Sequence, residues 1–254
     1  MTFQAIGYDL ADGVARITLN RPAVMNALNR QMRAEITRAV ALAQDQARVL
    51  VLTGAGRAFC SGQDLGDASG DFERILRDEY EPMLMALTHS RIPTIAAVNG
   101  VAAGAGASLA LAADVVIAAD SAAFVQAFAR IGLIPDAGGT YWLPRQISFA
   151  RAMGAVLFAD RISAAQALDW GMIYEVTPDA EFAARWQARA MALAKGPTLA
   201  FGAMKQALRA SYGNSLPEQL ALEAGLQAEC GASADCREGI AAFAEKREPV
   251  FQGR

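Results

Sequence analysis

The chain has 254 residues, 54% of them hydrophobic and 19% charged, which is enough apolar side chain for a large core and excludes disorder. Its 26 acidic and 23 basic residues leave a net charge of −3, so no electrostatic case exists for nucleic acid or an anionic membrane as partner. Cys60, Cys230 and Cys236 are too few and too scattered for a disulfide scaffold or a cysteine-rich zinc site, which points to a reducing compartment.

The start, Met1-Thr-Phe-Gln-Ala5, has neither a basic n-region nor an apolar h-region, so no signal peptide is expected and the chain is read as cytoplasmic. Val14-Ala-Arg-Ile-Thr-Leu-Asn20 alternates and stops at Arg21-Pro22, which predicts a strand ending in a turn. Ala27 to Ala43 carries helical periodicity, and Arg48 to Thr53 is a fully apolar strand followed by a loop from Gly54 to Gly62. Helical sequence returns over Asp71 to Thr88. Pro93 to Val98 predicts a buried strand, then a glycine-rich turn leads into a helix over Gly104 to Ala112, and Asp114 to Ala118 predicts another strand. The apolar stretch from Ile95 to Ala119 is long enough to span a membrane. It is cut by Asn99, three glycines, Ser108 and Asp114, so it reads as strand–helix–strand.

This alternation predicts an α/β fold of roughly parallel strands inside a helical shell. Beyond residue 145 helices dominate, with capping starts at Ser163-Ala-Ala-Gln166, Ser215-Leu-Pro-Glu218 and Asp235-Cys-Arg-Glu238. The division expected is an α/β core over 1–195 and a helical region over 196–254, the latter too small in core to fold alone.

Most familiar chemistries are excluded. His89 is the single histidine, so a site of several histidine ligands is impossible, and no Gly-x-Ser-x-Gly elbow or phosphate-binding P-loop occurs. His89 reads as a surface or helix-end residue. Gly104-Ala-Gly106 lacks the third glycine of a dinucleotide turn, position 109 being Leu. Two other loops remain. Arg57-Ala-Phe-Cys-Ser-Gly-Gln-Asp-Leu65 follows a buried strand, and Asn99-Gly-Val-Ala-Ala-Gly-Ala-Gly-Ala-Ser108 runs from a strand into a helix N-terminus. Free backbone N–H groups converging there would hold a developing oxyanion; two ordinary tight turns are the plainer reading. In Leu133-Ile-Pro-Asp-Ala-Gly-Gly-Thr140, Asp136 is either a turn or N-cap residue or a carboxylate beside an apolar pocket, tuned for proton transfer.

Together with Leu19-Asn-Arg-Pro22, Asn26-Ala-Leu28 and Glu245-Lys-Arg-Glu-Pro249, these three stretches resemble the enoyl-CoA hydratase/isomerase (crotonase) superfamily over nearly the whole chain. The resemblance implies a spiral of ββα units with a helical C-terminal region that builds trimers, often paired into hexamers. It implies acyl-CoA thioesters as substrates, with coenzyme A entering as part of the substrate, no other cofactor and no metal. By motif position the oxyanion donors are the Ser61 and Ala105 N–H groups, with Gly62 between them in the loop. Gln63 and Leu65 are implied to line the acyl pocket and Asp64 to fix its loop. Ala23, Met25 and Ala58 match positions that cradle coenzyme A. Phe243 and Lys246 are placed toward its nucleotide end or simply on a solvated helix. Cys60 reads as a small packed residue.

The departures narrow the chemistry. Hydratases in this family carry two glutamates, at positions occupied here by Ser108 and Phe128, so the acid/base work is expected of Asp136, with Phe128 and Pro135 beside the substrate. The dehalogenase branch has tryptophan where Phe128 stands. Leu133 to Thr140, Ala152-Met153-Gly154 and Trp170-Gly-Met-Ile173 are most similar to the ring-1,2-epoxyphenylacetyl-CoA isomerases of phenylacetate degradation. That branch converts the ring epoxide to an oxepin and shifts a double bond from the 3,4 to the 2,3 position. Hydration, thioester hydrolysis, dehalogenation and a non-catalytic CoA-binding role stay open as alternatives. The acyl group depends on 66–88, which carries no decisive motif.

Overall fold

The structure is a computed structural model and describes residues 2–67 and 70–254; Met1 of the expected start and residues 68 and 69 of the acyl-pocket segment lie outside it. Strands Ile6–Ala11 (β1) and Val14–Leu19 (β2) form an antiparallel hairpin, closed by Asp12 and Gly13, both with positive φ as a tight two-residue turn requires. Helix α1 (Arg30–Gln46) starts at Asn29, whose side chain accepts the Met32 N–H. Ala27 and Leu28, expected in this helix, stay outside it because Leu28 pairs with Gln63 in a parallel bridge. Strand β3 (Val49–Gly54) follows.

The loop expected over 54–62 contains a short strand, β4 (Ala58–Cys60). The expected helix over 71–88 is interrupted: α2 (Phe72–Ile75) and α3 (Glu81–Thr88) flank a π-helical turn, Leu76–Tyr80, in which the Glu81 N–H reaches back to the Leu76 carbonyl. Pro82, lacking an N–H, cannot continue the regular ladder there. Then come β5 (Thr94–Val98), β6 (Val101–Ala103), α4 (Ala105–Leu111), β7 (Val115–Ala119), β8 (Ala123–Val125) and a 3-10 turn over Ala127–Ile131. Helices α5 (Gly139–Gln146), α6 (Phe149–Phe158) and α7 (Ala164–Asp169), with the short strands β9 (Ile162–Ser163) and β10 (Glu175–Thr177), lead to α8 (Asp179–Ala194), α9 (Thr198–Ala210), α10 (Leu216–Gly231) and α11 (Ala234–Glu245).

A six-stranded sheet has the order β1-β2-β3-β5-β7-β10, and a four-stranded sheet the order β4-β6-β8-β9. The pairs β3/β4, β5/β6 and β7/β8 each give their first strand to the large sheet and their second to the small one, so the chain winds as repeated ββα units. The inner strands of the large sheet are buried along most of their length, and every residue of α4 is buried. The apolar stretch 95–119 is therefore β5, β6, α4 and β7, and among the described residues no helix is long and apolar enough to cross a membrane.

The C-terminal helices are tied to the α/β body by partly buried polar contacts. Arg48 donates to Thr198 Oγ1 and to the Phe251 carbonyl, both at 2.9 Å. Lys205 and Arg209 of α9 both pair with Asp114 at 2.7 Å. Ser163 and Ser215 cap α7 and α10 as their sequences predict. The third cap differs: Ser233 caps α11, while the buried Asp235 accepts the N–H groups of Gln252 and Gly253 and so anchors the C-terminal segment.

Candidate active site

The end of β4 and the start of α4 meet at Gly62. A Cβ there would lie 2.8 Å from the Ala103 carbonyl oxygen and 3.3 Å from the Ala105 nitrogen, and its φ is +96°, so two backbones touch where only glycine fits. Bonds with Met25 and Leu28 decide which N–H groups here are free. The Ser61 N–H is already bonded to the Met25 carbonyl at 2.9 Å, which corrects the expectation that it is an oxyanion donor. Leu28 bonds to both neighbours of Gln63, taking the Gly62 carbonyl at 2.8 Å and the Asp64 N–H at 3.1 Å. In parallel pairing this leaves the N–H of the facing residue directed away. Among the described residues the Gln63 N–H has no acceptor, and neither has the Ala105 N–H at the first position of α4.

Gln63 borders the cavity in front of this loop, with its side chain held in place by three hydrogen bonds. Its Oε1 accepts from the Tyr80 hydroxyl at 2.6 Å and from Arg33 at 2.9 Å, and its Nε2 donates to the Asp64 carbonyl at 3.0 Å. Arg33 is 1% exposed; it also donates to the Leu28 carbonyl and pairs with Glu79 at 2.6 Å and Asp67 at 3.3 Å. Asp64 accepts from Arg21 at 2.7 Å and from the Gly66 N–H, and the Arg21 guanidinium holds its carboxyl below the usual carboxylate range. Arg33, Glu79 and Tyr80 were not anticipated from the sequence. The available signal was Arg33 on the buried stripe of α1 beside Met32 and Ile36, where a cation needs partners.

A cavity of about 260 Å³ opens in front of the Gln63–Ala105 pair, walled by Leu76, Tyr80, Phe128 and Leu133. Asp136 is the one carboxylate among the described residues lining it. Its Oδ1 is buried with no partner among those residues, and burial pushes its pKa up to about 6. Asp136 also borders a second, larger chamber of about 660 Å³ lined by Ile134, Pro135, Tyr141 and Trp142. Pro135 thus lines the second chamber and not the first, and Ile134 beside it is 77% exposed.

A carboxyl with a buried, unpartnered Oδ1 that shares an apolar cavity with two free N–H donors is the arrangement acyl-thioester chemistry needs. A model of the enoyl-CoA hydratase/isomerase family matches residues 9–254. The chain belongs to this family. It is 60% identical over 257 residues to a Rhodobacter capsulatus protein named probable enoyl-CoA hydratase, with 100% of each chain covered. It is 47% identical over 251 residues to 1,2-epoxyphenylacetyl-CoA isomerase of Escherichia coli, covering 95% of this chain and 96% of the relative. The crystal structure of enoyl-CoA hydratase from Bacillus anthracis superposes with a TM-score of 0.93 at 32% identity, covering 99% of this chain and 100% of the other.

With the crotonase fold in place, the remaining predicted residues can be located. Ser108 is fully buried in α4, and the Phe128 ring packs close to Gly104 on the cavity wall. Leu65 sits at the cavity rim, 60% exposed. Ala23 and Met25 are exposed on the approach to the loop, and the Ser61 hydroxyl donates to the Val24 carbonyl at 3.2 Å. Ala58 does not join them at the surface: it is 2% exposed and its carbonyl accepts from Asn26 and Asn99. Phe243 is 88% exposed, and neither it nor Lys246 lines either of these chambers. His89 ends α3 at the surface, and burial pushes the Cys60 thiol up to about 12, so it stays protonated.

Proposed function

We propose that the chain is a cytoplasmic isomerase of acyl-CoA thioesters in which Asp136 moves a proton and the Gln63 and Ala105 N–H groups hold the thioester oxygen. The observation that carries this reading is Asp136 itself: the one carboxyl among the described residues on the cavity wall, its Oδ1 buried without a partner and its pKa raised toward the working range of a general base. In a 3-enoyl-CoA, the Asp136 carboxylate takes a proton from C2, and the C–H electron pair moves into the thioester to form an enolate. The two N–H groups stabilise the enolate oxygen. The same carboxyl, now protonated, returns the proton to C4 as the double bond settles between C2 and C3. Substrate and product are isomers, so no oxidant, reductant or further cofactor is consumed.

The name of the Escherichia coli relative supports 1,2-epoxyphenylacetyl-CoA, converted to oxepin-CoA, as a second substrate of this site. Hydration of an enoyl-CoA is the second reading, favoured by the name of the Rhodobacter capsulatus relative. It calls for a second carboxylate to position water, and the described residues lining the smaller cavity supply only Asp136.

The test is double-bond migration with a 3-enoyl-CoA in deuterated buffer, comparing the wild type with Asp136→Asn and running crotonyl-CoA hydration in parallel. The expected result is conjugated thioester from the wild type, little hydration, and an Asp136→Asn variant that binds CoA esters but turns over at least 100-fold more slowly, on the order of a lost general base. The wild-type rate should rise with pH and level off above about 6, because Asp136 must be ionised to accept the proton. Wild-type turnover by Asp136→Asn, or efficient hydration, would overturn the reading.

A further inference from the structure

We infer that Ser108 is a positioning residue, whose hydroxyl ties the main chain of Asp136 to the helix that supplies the Ala105 N–H and so holds base and oxyanion donor at a set separation. The inference rests on the isomerase reading above.

A buried serine inside a helix ordinarily bonds back to the carbonyl four residues earlier. For Ser108 that acceptor is the Gly104 carbonyl, at 3.5 Å, and it already receives the N–H groups of Ala107 and Ser108. The Ser108 hydroxyl instead has a shorter acceptor outside its own helix, the Asp136 carbonyl oxygen at 2.9 Å. The Gly139 N–H also donates to that oxygen, at 2.8 Å, so both of its lone pairs are engaged.

The loop held in this way is not one the chain adopts by default. Ala137 has φ +50° and Gly138 φ +82°, two consecutive left-handed residues directly after Asp136. An alanine in that region is strained and persists only where surrounding contacts enforce it. Gly139 leaves the path open: a Cβ on it would lie 2.9 Å from Ser108 Oγ. The Oδ1 of Asp136 has no partner among the described residues and no other side chain bonds the carboxyl, so its position depends on the backbone that carries it. One carboxyl must reach first C2 and then C4 while the enolate stays on α4. An error near 1 Å in such an arrangement can cost on the order of 100-fold.

Ser108→Ala and Gly139→Ala test this from opposite sides, the first by removing the hydroxyl and the second by pushing it aside. Two quantities are measured with a 3-enoyl-CoA in deuterated buffer. They are kcat and KM, with kcat expressed per CoA-ester binding site counted by calorimetry, and the fraction of product that keeps the substrate's own C2 hydrogen at C4. Both variants are expected to lose about tenfold in kcat with KM within about twofold, and to retain less of that hydrogen. Unchanged kcat in both variants overturns the inference, as does a fall in KM and kcat together. A lower kcat with an undiminished retained fraction marks a merely structural role and overturns it equally. Asp136→Asn run alongside separates the two failures. If that variant is inactive while Ser108→Ala and Gly139→Ala behave as wild type, the positioning role falls and the isomerase stands. If it is active, the isomerase reading itself falls.

Discussion

At the scale of single residues, Asp136 and Asp64 show how environment sets the role of a carboxylate. Asp64 faces Arg21 and the Gly66 N–H and is held charged, as part of the scaffold. Asp136 has an unpartnered oxygen in an apolar setting, and burial lifts it from 3.8 to about 6. That lift carries a stability consequence with a definite sign. A group whose folded pKa is raised contributes fully below the unfolded value, and the contribution is lost as pH rises through the folded value. The wild type is therefore expected to lose stability between about pH 4 and pH 6 on account of this residue. Asp136→Asn has no charge to bury and should be more stable at pH 7 by up to roughly 3 kcal/mol, the gap closing near pH 4. Urea unfolding of both proteins at pH 4 and pH 7 measures this, and a pH-independent gap would contradict it. The residue that serves chemistry is thus one that weakens the fold.

At the scale of elements, the oxyanion site is made by termini and not by side chains. The start of α4 offers Ala105, and a parallel bridge to Leu28 turns the Gln63 N–H outward. Proline is tolerated at the first position of a helix, where the N–H has no intrahelical partner. Ala105→Pro should therefore fold with a melting temperature near that of the wild type while losing about 100-fold in kcat, the usual effect of deleting one such donor. Thermal unfolding and the migration assay check the two halves, and full activity in a folded variant would exclude Ala105 as a donor. The π-helical turn before α3 has a similar local cause. Pro82 breaks the ladder, and the widened turn presents Leu76 and Tyr80 to the cavity.

At the scale of the whole molecule, α9 and α10 contain no buried residue, and Leu208 (70%), Leu216 (70%) and Phe243 (88%) stand exposed on the C-terminal helices. Apolar surface of this kind on a compact chain marks an interface. The resemblance to the crotonase superfamily implies a homotrimer or a dimer of trimers, and on that expectation light scattering should return three or six times the chain mass. Leu208→Asp together with Phe243→Asp should lower that mass. A monomeric wild type would rule the assembly out.

The strong, long patterns were legible in the sequence alone: the strands β2, β3, β5 and β7, helix α1, the start of α4 and two of three C-terminal caps. The family was legible too, from the order and spacing of three loops, and Asp136 stood out there because Ser108 and Phe128 offer no carboxylate. Strands β4, β6 and β8, three residues each, were not legible, since alternation over so short a run carries no signal and only pairing across the small sheet stabilises them. The choice between Ser61 and Gln63 as donor also lay beyond the sequence. A backbone N–H looks alike at every position, and its freedom depends on which distant carbonyl is close enough to accept from it. Residue type and spacing determined what chemistry the chain can attempt; packing between segments distant in sequence decided which atoms are free to perform it.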